Sequence, residues 1–351
     1  CFPPSQLHRT TMSDVNERTT STPPWSVIEF SFSAEDSDSE LVLLCNQTRL
    51  IIRLNASNLS DSPKLQEQYA FFLEVAENFG LNGYTVEDFY DWATEPLLLT
   101  LQELGPAKPT GKRTIQDFLS PPTKTFALRA VADNLVALPL EAKSDTELTP
   151  RFGISLSDKE CTPWPSFHPS EVWICDQNTV GPPSQTPGRV ILNNGIVAFF
   201  KIMRPGDSRS LKRELDAYRK ILRAPIDGSL QIPRLLGLVR NENGWVFGIL
   251  LRYIDCSRMT LSCALKPATP AFVRQRWIMQ LRQSVHQLHN AGIVWGDAKP
   301  DNVLIDSNKN AWVVDFGGGY TEGWVPKELA GTMDGDTIAL EKMEAFVDAD
   351  S

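Results

Sequence analysis

Apolar positions in the second half of the chain change their spacing in a regular order. The segments 189–192 and 196–201 are apolar runs on either side of Asn194-Gly195, a turn sequence typical of a β-hairpin. Large apolar residues then recur every three or four positions, as in a helix with one buried face, at Leu211, Leu215, Tyr218 and Leu222. The apolar run 244–254 predicts another long strand. This order of elements predicts an α+β fold.

A second helix is predicted farther along the chain. Thr269 suits its N-cap and Pro270 its first position, and an apolar stripe follows at Val273, Trp277, Leu281, Val285 and Leu288. Short apolar runs at 303–305 and 311–314 predict two strands after this helix. The polar segment between the helix and the first of these strands is therefore expected to be a loop.

The first half of the chain has an apolar pattern of its own. Strands are predicted at 25–32, 41–44, 50–54, 126–131 and 135–138, and helices at 64–79 and 85–104. We predict a disordered tail at 1–24, followed by a separate small α+β module at 25–150. No catalytic constellation stands out in this module, so we expect it to pack on the rest of the chain or to recruit a protein partner.

Length and composition narrow the classes of function. With 351 residues the chain is long enough for two units, and its formal charge of -9 argues against a nucleic-acid surface. No apolar run is long enough to span a membrane. The six cysteines show no metal-binding spacing, so we expect reduced thiols and an intracellular location, in the cytoplasm or nucleus.

The polar loop after the second predicted helix contains the candidate chemistry. Asp297, Lys299 and Asn302 lie within six residues, and Asp315 follows after the two short strands. A phosphoryl-transfer site needs metal ligands, a group that orients the attacking hydroxyl, and a cation on the moving phosphoryl group. These four residues match those needs in type and order.

The two motifs, Asp-Ala-Lys-Pro-Asp-Asn at 297–302 and Asp-Phe-Gly at 315–317, resemble the catalytic and metal loops of the eukaryotic protein kinase-like superfamily. The resemblance implies that Asp297 orients the substrate hydroxyl or accepts its proton, and that Lys299 neutralises the phosphoryl group. It implies that Asn302 and Asp315 hold Mg²⁺ with ATP. It also implies a bilobal kinase-like fold at 165–350, with a small β-rich lobe at about 165–254 and a reduced helical lobe at about 255–350.

The resemblance extends upstream to the residues that would hold the nucleotide. Lys201 ends a strand of the predicted hairpin, and Glu214 on the next helix is its candidate partner. Leu251 corresponds to the gatekeeper at the end of the long strand. The backbone groups offered to adenine would belong to Arg252, Tyr253 and Ile254.

Four departures from the protein kinase pattern bear on activity. No glycine-rich loop lies between Val172 and Val190, where prolines remove amide donors. Phe199 stands where protein kinases have alanine, and it would either crowd the base or stack on it. Gly296 replaces the arginine before the catalytic aspartate, which makes control by loop phosphorylation unexpected. The segment after Phe316 is short, as in fungal kinase-like proteins that pair an N-terminal module with a short kinase-type lobe.

Two residues around the loop have alternative interpretations. His289 is expected to be a packing residue rather than a catalytic one. Asp336 is either the N-cap of a last helix or, by resemblance to an aspartate in a kinase helix, a brace for the catalytic loop.

Three functions follow from these residues. The preferred one is an ATP- and magnesium-dependent kinase acting on Ser or Thr hydroxyls of a protein. The second is a small-molecule kinase resembling aminoglycoside phosphotransferases, which Gly296 favours. The third is a pseudokinase scaffold that binds nucleotide, which the missing glycine-rich loop and Phe199 favour.

Overall fold

The computed structural model describes residues 25–33, 36–78, 80–104, 111–141, 151–175, 187–225, 230–257 and 259–349. The predicted disordered tail at 1–24 lies outside these residues. The fold is α+β, as predicted. The described residues divide into two compact units, one within 13–150 and 173–187 and the other within 151–172 and 188–351.

The first unit is built on a five-stranded sheet in the order β1-β2-β3-β4-β5. Its strands are β1 (Trp25–Phe32), β2 (Ser39–Cys45), β3 (Thr48–Leu54), β4 (Thr123–Val131) and β5 (Asn134–Leu140). The pairing of β3 with β4 is parallel and the other pairings are antiparallel. Its helices are α1 (Pro63–Glu77), α2 (Val86–Thr94), α3 (Leu98–Glu103) and α4 (Ile115–Leu119).

The core of the first unit forms where alternate strand residues meet the helices. Leu41, Leu50 and Leu128 from the sheet belong to one buried cluster with Tyr69 and Phe89 from α1 and α2. The single helix predicted at 85–104 is wrong, because a 3₁₀ turn at 95–97 separates α2 from α3. Proline at position 96 has no amide hydrogen to continue the helical hydrogen bonds.

The second unit has a mostly antiparallel sheet and a helical part. Its strands are β6 (Ile154–Ser155), β7 (Ser166–Phe167), β8 (Val172–Ile174, at the boundary between the units along the chain), β9 (Arg189–Leu192), β10 (Val197–Ile202), β11 (Leu235–Arg240), β12 (Trp245–Arg252), β13 (Val303–Ile305) and β14 (Ala311–Val313). Its helices are α5 (Asp158–Cys161), α6 (Ser208–Arg223), α7 (Leu261–Ala264), α8 (Ala271–Asn290) and α9 (Met333–Ala349).

The sheet of the second unit places β10 in its centre. β10 pairs with β9 on one side and with β12 on the other, and β12 pairs with β11. The predicted hairpin at 189–201 is therefore β9 and β10, closed by Asn193 and Asn194 with Gly195 at a φ of 81°. A glycine favours this left-handed backbone, which fits the Asn-Gly signal in the sequence.

Helices α8 and α9 supply most of the helical core of the second unit. Trp277 and Leu281 of α8 and Met343 of α9 belong to one buried cluster with residues of the sheet and of α6. The prediction that Thr269 is the N-cap of α8 is wrong, because Pro270 occupies that position. The Thr269 hydroxyl instead accepts a hydrogen bond from Lys266 N.

Two further expectations concern cysteines and membranes. Cys45, Cys161, Cys175 and Cys256 are free thiols. Cys263 is disulfide-bonded, so the expectation of reduced thiols is wrong there, because pairing depends on which sulfurs the fold brings together and not on sequence spacing. None of the helices in the described ranges is both long and apolar enough to cross a bilayer.

Candidate active site

One charged cluster joins the sheet, α6 and the segment after β14. The ammonium of Lys201, on β10, donates to Glu214 Oε2 at 2.7 Å and to Asp315 Oδ1 at 2.9 Å. Glu214 is completely buried, whereas the side chains of Lys201 and Asp315 are 26% and 41% exposed. We call these three residues the Lys201 cluster. The structure thus brings together three residues that are distant in sequence: Glu214 lies 13 positions after Lys201, and Asp315 lies 101 positions after Glu214.

Burial and charge act against each other in the Lys201 cluster. Burial alone would lower the pKa of Lys201, but the carboxylates of Glu214 and Asp315 outweigh it and hold that pKa above its usual value. Burial raises the pKa of Glu214 despite the attraction of Lys201. Burial also opposes ionisation of Asp315, but Lys201 and the Gly317 amide hold the pKa of Asp315 below its usual range. Lys201 is therefore a fixed cation at neutral pH.

The apolar face of α6 fixes Glu214 in this position. Leu211, Leu215 and Tyr218 are buried on the same helix. The Tyr218 ring meets Phe316 edge to face, with 5.6 Å between ring centroids. Because Phe316 follows Asp315 directly, this contact ties the helix that carries Glu214 to the segment that carries Asp315.

A second cluster lies in the loop after α8. The ammonium of Lys299 donates to Asp297 Oδ2 and to Thr321 Oγ1, both at 2.8 Å. The Thr321 hydroxyl donates to Asp297 Oδ1 at 3.0 Å, and Asn302 Nδ2 donates to Asp297 Oδ2 at 3.1 Å. We call these four residues the Asp297 cluster. Both carboxylate oxygens of Asp297 are engaged, so its orientation is fixed from two sides.

Thr321 is a site residue that the sequence analysis missed. Thr321 lies outside the two motifs, in the segment that follows Asp-Phe-Gly at 315–317. The one feature of the sequence that could have pointed to it is a hydroxyl side chain a few residues after Gly317. Its position between the ammonium of Lys299 and the carboxylate of Asp297 depends on how that segment folds back over the loop.

Asp336 supports the backbone of the loop that contains Asp297. Its carboxylate accepts from Trp295 N at 2.7 Å and from Gly296 N at 2.9 Å, and it contacts His289 Nε2 at 3.0 Å. Asp336 is 2% exposed and lies inside α9, which begins at Met333. The bracing interpretation of Asp336 therefore describes its contacts, and the N-cap interpretation is wrong. The His289 side chain is largely buried and contacts this carboxylate, and its expected packing role stays a prediction.

The loop that contains Asp297 and the segment that contains Asp315 are also joined by hydrogen bonds to main-chain oxygens. Val314 N donates to Asn302 O at 3.1 Å, and the indole Nε1 of Trp295 donates to Val314 O at 2.8 Å. Asp315 follows with a φ of 65°, a left-handed conformation that its carboxylate stabilises by accepting from Gly317 N at 3.2 Å. The positions of Asn302 and Asp315 are thus set by one connected backbone.

The donor chemistry at this site fits a magnesium ion. Both side-chain hydrogen bonds of Asn302 use Nδ2, which leaves its Oδ1 for a cation. The hydrogen bonds to Asp315 use Oδ1, which leaves its Oδ2. The described residues contain no group of three or more Asp, Glu, His or Cys side chains that could hold a metal by themselves. Mg²⁺ characteristically takes one or two protein ligands and completes its shell with phosphates and water.

The residues expected at the hinge lie at the end of β12 and just beyond it. Leu251 is 5% exposed and is paired with Phe199 across the two strands. Arg252 N donates to Arg234 O at 2.8 Å, and Ile254 O accepts from Cys256 N at 2.9 Å. These two backbone groups are therefore engaged within the protein. The guanidinium carbon of Arg189 lies over the ring of Tyr253, 5.1 Å from the centroid of that ring.

Phe199 lies on the same face of β10 as Lys201, because residues two apart on a strand point the same way. Its side chain is 42% exposed, whereas Ala198 and Phe200 on the other face are buried. A side chain on Gly188 would approach its ring to 3.1 Å, so Gly188 leaves the room that Phe199 occupies. An exposed aromatic ring thus lies on the face of β10 that carries Lys201.

Sequence comparison relates part of this chain to protein kinases. It is 24% identical over 87 residues to human receptor-interacting serine/threonine-protein kinase 1, covering 25% of this chain and 13% of that protein. It is 29% identical over 121 residues to the fatty acyl-CoA synthetase and RNA processing-associated kinase 1 of Saccharomyces cerevisiae, and the match covers 34% of this chain and 14% of that kinase. It is 30% identical over 122 residues to the mitogen-activated protein kinase mpkC of Aspergillus clavatus, and the match covers 35% of this chain and 31% of that kinase.

The matched region spans less than a third of each of these three relatives. No protein-family model matches the chain. The similarities support a relationship of this chain to the protein kinase-like superfamily and hence to phosphotransferases.

Proposed function

We propose that this chain is an ATP- and magnesium-dependent phosphotransferase that acts on Ser or Thr hydroxyls of a protein. The observation that supports it most is the ammonium of Lys201 held between Glu214 and Asp315, in the same unit as the Asp297 cluster. Enzymes that transfer phosphoryl groups work mainly by positioning and by stabilising charge, and these two clusters supply fixed charges of both signs.

The nucleotide would be bound by the Lys201 cluster. Lys201 presents its ammonium to the phosphates, and Glu214 keeps that ammonium from moving away. Asp315 Oδ2 and Asn302 Oδ1 would hold Mg²⁺, which when bound offsets the negative charge of the phosphates. Leu251 and the backbone of residues 252–254 would line the base, with Phe199 beside it.

The acceptor would meet the Asp297 cluster. Asp297 would orient the attacking hydroxyl and accept its proton through a carboxylate oxygen. Lys299, 2.8 Å from that carboxylate, would neutralise charge on the phosphoryl group as it moves. A lysine two residues after the aspartate favours a protein acceptor. One of the relatives carries serine/threonine-protein kinase in its name, which supports the same acceptor class.

The proposed architecture is that of a bilobal kinase. The sheet of β9 to β12 with α6 would form the small lobe, within about 165–254, and α8 and α9 the helical lobe, within about 255–350. The module at 25–150 would recruit a protein partner, because its described residues form a buried core of their own.

One observation favours a second candidate, a nucleotide-binding scaffold without turnover. The exposed ring of Phe199 stands on the face of β10 that carries Lys201, and a bulky side chain there reduces the space for a base. Under this alternative, nucleotide would bind weakly and the Asp297 cluster would have no reacting hydroxyl to orient.

The test is calorimetric titration with ATP and Mg²⁺, followed by a phosphate-transfer screen against peptides and small hydroxyl compounds. We expect Mg²⁺-dependent binding that Asp315→Asn abolishes, and transfer to peptides. Transfer to small compounds alone would favour a small-molecule kinase, and binding without any transfer would favour the scaffold. If no nucleotide binds in the presence of any divalent metal, both the proposed kinase activity and the nucleotide-binding scaffold are wrong.

A further inference from the structure

Three consecutive glycines follow Phe316, and each lies against a different functional neighbour. We call Gly317, Gly318 and Gly319 the glycine segment. A Cβ on Gly317 would overlap Ser210 Oγ on α6, and one on Gly319 would lie 3.1 Å from Cγ and Oδ2 of Asp297. A side chain at 317 would therefore clash with α6 and lie close to Asp315, and one at 319 would press on Asp297.

Gly319 controls the space beside the Asp297 carboxylate. Real Cβ atoms seldom approach a neighbour as closely as 3.1 Å, so an alanine at 319 would push this carboxylate by a few tenths of an ångström. The carboxylate cannot shift freely, because Thr321 holds one of its oxygens while Lys299 and Asn302 hold the other. Any displacement of Asp297 would therefore disturb the whole Asp297 cluster.

Gly317 controls the approach of α6 to the Lys201 cluster. Ser210 lies one turn before Glu214 on α6, so the two side chains share a face of the helix. A methyl group at 317 would overlap Ser210 Oγ and would lie tightly against Asp315 Oδ1, at 3.3 Å, whereas its distance of 3.5 Å to Ser210 Cβ is an ordinary contact. The hydroxyl of Ser210 is thus the main obstacle to a side chain at 317, and Asp315 Oδ1 is the second.

We propose that Gly317 and Gly319 are positioning residues that set the two clusters separately, Gly317 for the nucleotide side and Gly319 for the acceptor side. This inference rests on the proposed function. Their positions divide the roles, because Gly317 is buried against α6 whereas Gly319 is exposed beside Asp297. Gly318 connects the two and has a φ of 72°, with Arg213 close to it. An alanine at 318 would strain the backbone as well as meet Arg213, so its effect could not be assigned to one contact.

The first arm of the test uses Gly319→Ala. We expect kcat to fall about 10- to 100-fold, since small misplacements of a catalytic group have effects of this order. The KM for ATP should stay within about twofold, because Lys201 and Asp315 lie in the other cluster. The Mg²⁺-dependent affinity should fall less than kcat, because only one of the two proposed metal ligands, Asn302, belongs to the Asp297 cluster. The matched control is Gly206→Ala, where an added Cβ meets nothing within 4 Å and the backbone is not left-handed. It should behave as wild type.

The second arm uses Gly317→Ala with and without Ser210→Ala. The single variant should lose Mg²⁺-dependent ATP affinity by about tenfold, corresponding to a displaced Lys201 cluster. The double variant Gly317→Ala/Ser210→Ala should regain most of that affinity, because removing Oγ takes away the overlap and leaves contacts of 3.3 Å to Asp315 Oδ1 and 3.5 Å to Cβ of residue 210. Thermal unfolding of all variants checks that each is folded.

The outcomes decide between the inference and the function beneath it. A wild-type protein that binds ATP but transfers no phosphate would contradict the proposed function, while the rescue of affinity by Ser210→Ala would still support the role of Gly317. If Gly319→Ala lowers the Mg²⁺-dependent affinity as much as it lowers kcat, or if Ser210→Ala fails to rescue a folded Gly317→Ala, the separate positioning roles are wrong.

Discussion

The Lys201 cluster and the Asp297 cluster use the same pair of charges but are held in different ways. Glu214 is fully buried on a helix whose apolar face packs into the core, so the first cluster is positioned by burial of its scaffold. Asp297 lies in a loop and is held by hydrogen bonds from Lys299, Asn302 and Thr321. We therefore expect the first cluster to contribute more to folding stability and, under the proposed function, the second to contribute mainly to catalysis.

This difference leads to distinct expectations for substitutions. Changing the Lys201 cluster leaves a buried charge without its partner, which is costly for the folded state. Changing the Asp297 cluster removes hydrogen bonds at a partly exposed loop, which is cheaper for folding but directly affects the reacting groups. Four predictions follow the comparison from the largest expected effect to the smallest.

The largest effect is expected for Asp297→Asn. An amide retains the shape of the side chain but cannot accept the proton of the hydroxyl, so kcat should fall by about 10²- to 10⁴-fold. Nucleotide affinity and the unfolding temperature should change little. Steady-state kinetics and calorimetry on the same preparation measure both, and unchanged turnover would show that Asp297 has no catalytic role.

Lys201→Met should mainly reduce stability and nucleotide affinity. Removing the ammonium leaves Glu214 buried without its cation, and breaking a buried pair in this way costs about 3–5 kcal/mol of unfolding free energy. Urea denaturation measures this cost. The double variant Lys201→Met/Glu214→Leu should recover most of the stability but none of the affinity. A double variant no more stable than the single one would contradict the burial argument.

Thr321→Val should lower kcat by about 10- to 100-fold, because it removes the hydroxyl that holds Asp297 and Lys299 together, and one hydrogen bond to a charged group is worth about 1.5–3 kcal/mol. Thr321→Ser is the matched control, since it keeps the hydroxyl and should stay close to wild type. Affinity for ATP should be the same in both variants. Equal kinetics for Val and Ser would mean that the contact of Thr321 with Asp297 and Lys299 has no part in turnover.

The smallest effect is a change in acid sensitivity. The folded-state pKa of Asp315 is below its ordinary value of 3.8, so its stabilising contribution is present above pH 3.8 and is lost as pH falls through the lower folded-state value. Asp315→Asn should therefore differ most from wild type in unfolding temperature above pH 3.8, and the difference should shrink in more acidic solution. A difference that grows with acid would reverse the sign assigned to this group.

Much of the site followed from local sequence pattern. Two compact motifs contain Asp297, Lys299, Asn302 and Asp315, and the hairpin and helix that carry Lys201 and Glu214 have clear apolar spacing. The ion pair between Lys201 and Glu214 was expected, and the 2.7 Å contact is present. Such features can be predicted from sequence because each depends on the spacing of neighbouring residues and on the burial of one helix face.

The features that sequence did not reveal depend on segments that return from a distance. Thr321 reaches Asp297 only because the chain folds back after the glycine segment, and no local pattern records that return. The close approach of Ser210 to Gly317 joins positions more than a hundred residues apart. The N-cap of α8 was misplaced by one residue because Thr269 uses its hydroxyl for a preceding turn.

The carboxylate of Asp336 has a consequence for truncation of the chain. It accepts the amides of Trp295 and Gly296 from a position in the first turns of α9. A protease that cleaves before residue 333 would thus remove the support of the loop at 295–297 while leaving the strands from β9 to β12 intact. We expect such a nicked fragment to retain sheet signals in circular dichroism, yet to lose protection of the backbone amide protons of Trp295 and Gly296 in hydrogen exchange.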